Sequence, residues 1–261
     1  MTRDRTTRGS TTSGTILTLG GGGFSMPAEA GAPDGSDSAL DDLLLSLVAT
    51  PRGAGGLPRV CFVPTASGDS ADYVARFHAA FAGRAETSTL ELFGLGSLGG
   101  RSVREHVLDQ DVVYVGGGST LNLLALWRLH GLDAVLREAL AAGVVVAGIS
   151  AGMNCWFEGC STDSCGTLAP LADGLGLLPG SACPHYDGEA ERERSYRSFV
   201  ASGALPAGWA LDDGVALLWR DGELVEAVSE RPGGRAFRTR VRPDGAGGAV
   251  EEPLAVRLLG P

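Results

Sequence analysis

Apolar positions along the chain fall in short runs at strand spacing, separated by longer stretches at helical spacing. This alternation predicts a parallel sheet wrapped by helices. Thr15-Ile16-Leu17-Thr18-Leu19 predicts a first strand ending in Gly20-Gly21-Gly22-Gly23. A polar loop rich in Pro, Gly and Asp runs to about Ser38, and a helix is expected over 43–48. Val60-Cys61-Phe62-Val63 predicts a second strand halted by Pro64, then a helix over 70–81 and a third strand over 87–93. Asp111-Val112-Val113-Tyr114-Val115 predicts a fourth strand, running into Gly116-Gly117-Gly118-Ser119-Thr120. Helices are expected over 121–130 and 132–142. Val144-Val145-Val146-Ala147 has the short, β-branched, wholly apolar character of a buried central strand. Beyond 206 the texture changes: segments 216–219, 223–228 and 236–241 read as antiparallel β, joined by Arg220-Asp221-Gly222 and Gly233-Gly234. With no internal repeat and no long linker, one α/β domain is expected over 15–261, after a disordered tail over 1–14.

Composition narrows the function classes. The chain has 261 residues, 44% of them hydrophobic, enough to bury a substantial core. A net charge of −10 argues against nucleic acid or an anionic membrane as partner, because phosphate binding needs clustered Lys and Arg. The longest apolar runs, such as 141–149, fall well short of the roughly 20 residues of a membrane span. The N-terminal stretch lacks the apolar core of a secretory signal, so a cytoplasmic location is expected. Five cysteines fit reduced thiols, and the spacing of Cys155, Cys160 and Cys165 is not that of a zinc pair. No metal and no cofactor are expected. The partner expected is a small molecule, with a homodimer as an open assembly state.

The chemistry concentrates in a few segments. Gly148-Ile149-Ser150-Ala151-Gly152 follows the buried strand and precedes an expected helix, the context in which a G-x-S-x-G turn presents a nucleophilic serine. The helix start behind Ser150 adds partial positive charge, and the Ala151 amide can face a developing oxyanion. The chain holds four histidines. His78 and His106 read as surface residues of polar helices, and His130 as a helix-end cation. His185, in Ala182-Cys183-Pro184-His185-Tyr186-Asp187-Gly188, lies just past a strand end and is the candidate base. Asp163 and Asp213 are the two candidates for the acid that orients it. Gly116-Gly117-Gly118 at a strand end suits an oxyanion hole better than a phosphate site, since it lacks both the P-loop lysine and the dinucleotide spacing. Gly20 to Gly23 is the weaker glycine signal and reads as a loop at the rim.

Together, Val115-Gly116-Gly117-Gly118-Ser119-Thr120, Gly148-Ile149-Ser150-Ala151-Gly152-Met153-Asn154, Thr162-Asp163 and Pro184-His185-Tyr186 resemble peptidase family S51, the family of aspartyl dipeptidases and cyanophycinase. The resemblance spans about 16–228. It implies a doubly wound, mostly parallel α/β sheet like that of class I glutamine amidotransferases, carrying the C-terminal antiparallel segments as an addition. It implies Ser150 as nucleophile, His185 as base, and the Gly118 and Ala151 amides as oxyanion donors. Family members carry a glutamate in a Leu-x-Glu-Gly-like turn; Leu211-Asp212-Asp213-Gly214 matches it with a shorter acid, so Asp213 takes the third role. Asp163 matches an aspartate near the family's active site, as a substrate contact or the rival acid, and Ser119 joins it as a candidate contact. Arg192 and Arg194 are candidate cations for a substrate carboxylate, against the plainer reading of solvated helix charges.

The activity implied is hydrolysis of short peptides through an acyl-enzyme. Two other readings compete. A carboxylesterase of the α/β-hydrolase type needs its histidine after the acid, whereas the last histidine here is His185. A catalytically silent binding protein on the same scaffold would not need the intact serine and histidine.

Overall fold

The structure, a computed structural model, describes residues 13–26, 38–188, 190–244 and 247–260. Most of the tail expected over 1–14 and of the loop before Ser38 lies outside these residues.

Strands β1 (Thr15–Leu19), β2 (Arg59–Val63), β3 (Glu86–Thr89), β4 (Val112–Val115) and β5 (Val145–Ile149) form the parallel part of the main sheet, in the order β1-β5-β4-β2-β3. Helices α1 (Ala39–Ser46) and α2 (Ala71–Ala80) precede β2 and β3 as the chain moves outward. Helices α3 (Val103–Leu108), α4 (Thr120–His130) and α5 (Leu132–Ala141) precede β4 and β5 as it returns. Right-handed crossovers require the helices to change face when the direction reverses. They do so: Leu40, Leu44, Phe77 and Phe81 pack with Leu17, Leu19, Phe62 and Tyr114 on one face. Trp127, Leu136 and Leu140 pack with Ile16, Val63, Val113 and Val146 on the other. Alternate residues of each strand thus feed opposite cores.

The C-terminal half completes this sheet and builds a second. Strand β10 (Val215–Arg220) pairs antiparallel with β1, β11 (Glu223–Ser229) with β10, and β14 (Val256–Leu258) lies parallel to β11, giving eight strands. One turn of helix, α6 (Ala151–Asn154), leads into a six-stranded second sheet. Its strands are β6 (Phe157–Thr162), β7 (Ala169–Leu171), β8 (Leu178–Cys183), β9 (Gly208–Leu211), β12 (Ala236–Val241) and β13 (Ala249–Pro253). Phe157, Leu178, Ala182 and Leu211 join the same core as α4 and α5. Helix α7 (Ala190–Ala201) covers the second sheet's other face through Tyr196 and Val200.

Several expectations need adjusting. The first helix begins earlier, at Ala39, because the Ser38 side chain caps it by accepting from the Leu40 and Asp41 amides. The third strand stops at Thr89, and the Phe93 amide turns to the Asp69 carboxylate instead (2.9 Å). The helix behind Ser150 lasts a single turn because β6 is claimed by β8. His106 is buried rather than on the surface, with Nε2 3.5 Å from Cys61 Sγ and 3.4 Å from Ser88 Oγ. Cys61, Cys155, Cys160 and Cys183 are buried and Cys165 is exposed, all with free thiols. Among the described residues no helix is long and apolar enough to cross a membrane.

Candidate active site

The C-terminal ends of β1, β4 and β5 meet where ligands bind in open α/β sheets. Beyond β5 the Ser150 amide donates to Leu19 O (3.1 Å), and the chain reverses with Ser150 at φ 56°, ψ −112°. For a residue bearing a Cβ this conformation costs about 1–3 kcal/mol, and it persists because the surroundings enforce it. They do so by backbone contact. A Cβ on Gly152 would stand 2.3 Å from Val115 O, so α6 lies directly on β4.

The glycine loop after β4 faces this elbow. Gly118 adopts φ 134°, and a Cβ there would sit 2.2 Å from Ala66 O. The Ser119 amide is tied to that same carbonyl (2.8 Å), while the Ser119 hydroxyl caps α4 by accepting from the Asn122 amide. The Gly117 amide donates to the Tyr73 hydroxyl (3.3 Å). A Cβ on Gly117 would lie 3.2 Å from Ser150 Cβ, a tight contact that marks how closely this loop approaches the elbow. The Gly118 and Ala151 amides find no acceptor among the described residues.

His185 follows β8 at φ 53°, with its amide bonded to Gly20 O (3.1 Å). Its Nδ1 lies 2.5 Å from Asp213 Oδ1, and both side chains are largely buried. Asp213 sits in the turn between β9 and β10, where the following amide, of Gly214, donates to Gly21 O (3.1 Å). Three successive carbonyls, those of Leu19, Gly20 and Gly21, therefore hold the segments that carry Ser150, His185 and Asp213. Gly21 is also the floor beneath the acid: a Cβ there would be 2.0 Å from Asp213 Oδ1. Gly20 to Gly23, expected as a rim loop, is the frame of the site. Its contribution is backbone carbonyls and absent side chains, which a motif search passes over.

Asp187 is a further missed residue. Its Oδ1 accepts from the Asp213 amide (2.9 Å) and its Oδ2 pairs with Arg231. Burial pushes its carboxyl up, but these donors outweigh that and hold it below the usual aspartate range.

Asp163, Ser119, Arg192 and Arg194 make no side-chain hydrogen bond or ion pair with His185 or Asp213 among the described residues. Asp163 is more than half exposed, and its partner is Arg192 Nη2 at 3.4 Å. Arg192 is 5% exposed at the side chain, which overturns the reading of a solvated charge, whereas Arg194 is exposed and pairs with Glu191. Behind Asp163, Thr120 Oγ1 accepts from Asn154 Nδ2 (3.3 Å), and Asn154 Nδ2 also reaches Ser161 O (3.4 Å). These bonds tie the starts of α4 and α6 to β6. Among the described residues no group of three or more His, Cys, Asp or Glu could hold a metal ion.

Comparison with known proteins adds to this geometry. The profile of peptidase family S51 matches residues 35–227. A protein named uncharacterized peptidase YgaJ, from Bacillus subtilis strain 168, is 45% identical over 94% of this chain and 99% of its own. A peptidase E from Streptomyces coelicolor is 31% identical over 76% of this chain and 83% of its own. Among solved structures, a peptidase from an acI-B1 actinobacterium superposes with a TM-score of 0.65 at 18% identity, covering 94% of this chain and 95% of that one. A putative peptidase E from Listeria monocytogenes EGD-e gives 0.56 at 21% identity, covering 81% and 96%. At those identities the superpositions speak for the fold, the glutamine amidotransferase-like α/β scaffold expected from the sequence. The matched profile and the similarity along nearly the whole chain settle the family: this chain is a peptidase of family S51.

Proposed function

We propose that the chain is a serine peptidase of short peptides, with Ser150 as nucleophile, His185 as general base and Asp213 as the acid that orients it. The observation that carries this reading is the frame at the end of β1: successive carbonyls hold the three segments, with His185 Nδ1 2.5 Å from Asp213 Oδ1. A hydrogen bond to a carboxylate requires the proton on Nδ1, which leaves Nε2 free to accept the serine proton. Ser150 Oγ then attacks the scissile carbonyl while His185 takes its proton, and Asp213 stabilises the imidazolium. The Gly118 and Ala151 amides, uncommitted among the described residues, supply donors for the tetrahedral oxyanion. His185 next protonates the leaving amine, and a water deprotonated by His185 releases the acyl group from Ser150. The restriction to short peptides rests on the resemblance to a family that includes aspartyl dipeptidases; relatives 31% identical are named peptidase E.

The test is turnover of a dipeptide panel by the wild type, Ser150→Ala and His185→Ala. Loss of at least about a thousandfold in kcat is expected for each, with a fluorophosphonate labelling only proteins that retain Ser150. Unchanged peptide turnover by Ser150→Ala would remove the reading.

A further inference from the structure

Among the described residues no strand pairs with the glycine frame over Gly22 to Ser25, so other groups must fix its height above the sheet. Two carboxylates from distant parts of the chain do this. Asp41, in the first turn of α1 and 1% exposed, accepts the Phe24 amide on Oδ2 (2.8 Å). Glu230, just past β11, accepts the Gly23 amide on Oε1 (3.0 Å), and its other oxygen takes the Ser38 hydroxyl. Nothing larger than glycine fits between them: a Cβ on Gly23 would lie 3.0 Å from Asp41 Oδ1 and 2.9 Å from the Tyr114 hydroxyl. On Gly22 a Cβ would lie 2.2 Å from Glu230 Oε1. The Phe24 ring closes the seat, 5.1–5.9 Å from the ring centres of Phe62, Tyr73, Phe77, Phe81 and Tyr114. The Tyr73 hydroxyl contacts Ser25 Oγ and also receives the Gly117 amide, so the seat reaches the loop of Gly118 as well.

We infer that Asp41 and Glu230 are positioning residues for the peptidase reaction: by holding the Gly23 and Phe24 amides they set the carbonyl frame from which Ser150, His185 and the Asp213 turn hang. The inference rests on the catalytic reading above. Neither acid touches the triad; each acts through the backbone of residues 19–24. The groups facing Asp41 are Glu230 beyond β11, Asp42 on its own helix, Arg84 beyond α2, and the hydroxyls of Tyr73 and Tyr114. Burial, with Glu230 adding to it, brings the Asp41 carboxyl up to about 7, so its charge changes within the working range of a histidine base.

The experiment compares Asp41→Ala, Asp41→Asn and Glu230→Ala with the wild type on a dipeptide substrate. Active sites are counted by running fluorophosphonate labelling of Ser150 to completion, which removes any unfolded fraction from the rate. Both alanine variants are expected to lose about tenfold or more in kcat per labelled site, with KM within about twofold, because a small displacement of the catalytic frame acts on the transition state. Asp41→Asn keeps an oxygen for the Phe24 amide. It is expected to recover most of the turnover and to lose an inflection near pH 7 from the kcat profile. Unchanged kcat per labelled site in both alanine variants would overturn the inference. Glu230 is only half-buried, so Glu230→Ala decides the matter if Asp41→Ala does not fold. Retained turnover in Ser150→Ala is a separate outcome, which defeats the catalytic reading itself.

Discussion

At the scale of single residues, the site is cut to fit an aspartate. The floor under Asp213 is Gly21, and a Cβ on Gly188 would come within 3.1 Å of Asp213 Oδ2. The resemblance described above puts a glutamate of other family members at the place of Asp213, and here the extra methylene has nowhere to go. Asp213→Glu is therefore expected to lower kcat about a hundredfold, as measured on dipeptides under saturating substrate. Gly21→Ala is expected to do the same by pushing the carboxylate off His185, with little change in circular dichroism. Ser150 was legible in the sequence because every feature of its turn is local: strand, glycines and helix start are contiguous. His185 and Asp213 could be picked out by elimination and by resemblance. Gly21, Asp187 and Asp41 could not. The first acts by lacking a side chain, and the other two act on amides 26 and 17 residues away. Such contacts leave no periodicity to read.

At the scale of elements, the alternation of short apolar runs and amphipathic stretches carried the parallel sheet and its helices, since each run feeds one of two cores. The second sheet was largely hidden. Strands β6 to β9 are three to six residues long, the first three joined by short glycine-containing turns and the last set off by α7. In the chain β6 reaches past β7 to pair with β8, β8 pairs with β9 across α7, and β9 with the distant β12, so neighbouring sequence says little about them. The elbow itself depends on one close approach, α6 on β4 at Gly152. Gly152→Ala must lift α6 off Val115 and separate the Ala151 amide from that of Gly118. A loss of about 1–3 kcal/mol in urea unfolding is expected, together with a drop in kcat. Ser102→Ala serves as the contrast. It removes the capping box with Glu105 at the start of α3, and should cost about 1 kcal/mol while leaving turnover per folded molecule unchanged.

For the whole molecule, the buried Asp41 sets a distinctive dependence on pH. Its carboxyl, near 3.8 when unfolded, rises to about 7 in the fold, mainly through burial and next through Glu230. Between these values the folded chain holds the proton that the unfolded chain has lost, so stability falls as pH rises through this window. The full span is on the order of 4 kcal/mol, reached above pH 7. Asp41→Asn has no such proton. Relative to wild type it should gain stability steadily from pH 4 to pH 7 and then level off, as read from urea midpoints across that range. Asp111 works in the opposite direction. Burial raises its carboxyl, but bonds from the Arg52 side chain and from the Arg52 and Arg59 amides outweigh this and lower it. Its contribution is present above the ordinary aspartate range and is lost as pH falls through the depressed value. On these two groups, stability is expected to be highest near the ordinary aspartate value, where the two windows meet, and to decline from there toward neutrality.

The carbonyl frame also bears on how the molecule is born. Strand β1 leaves the ribosome before both of its neighbours in the sheet, β5 and β10, and β10 spans residues 215–220. A nascent chain can present Ser150 and even His185 long before Asp213 and β10 emerge to close the other side of β1. On the proposed triad, the hydrolytic centre is therefore completed only once β10 has joined β1, after Ser150 and His185 have both been made.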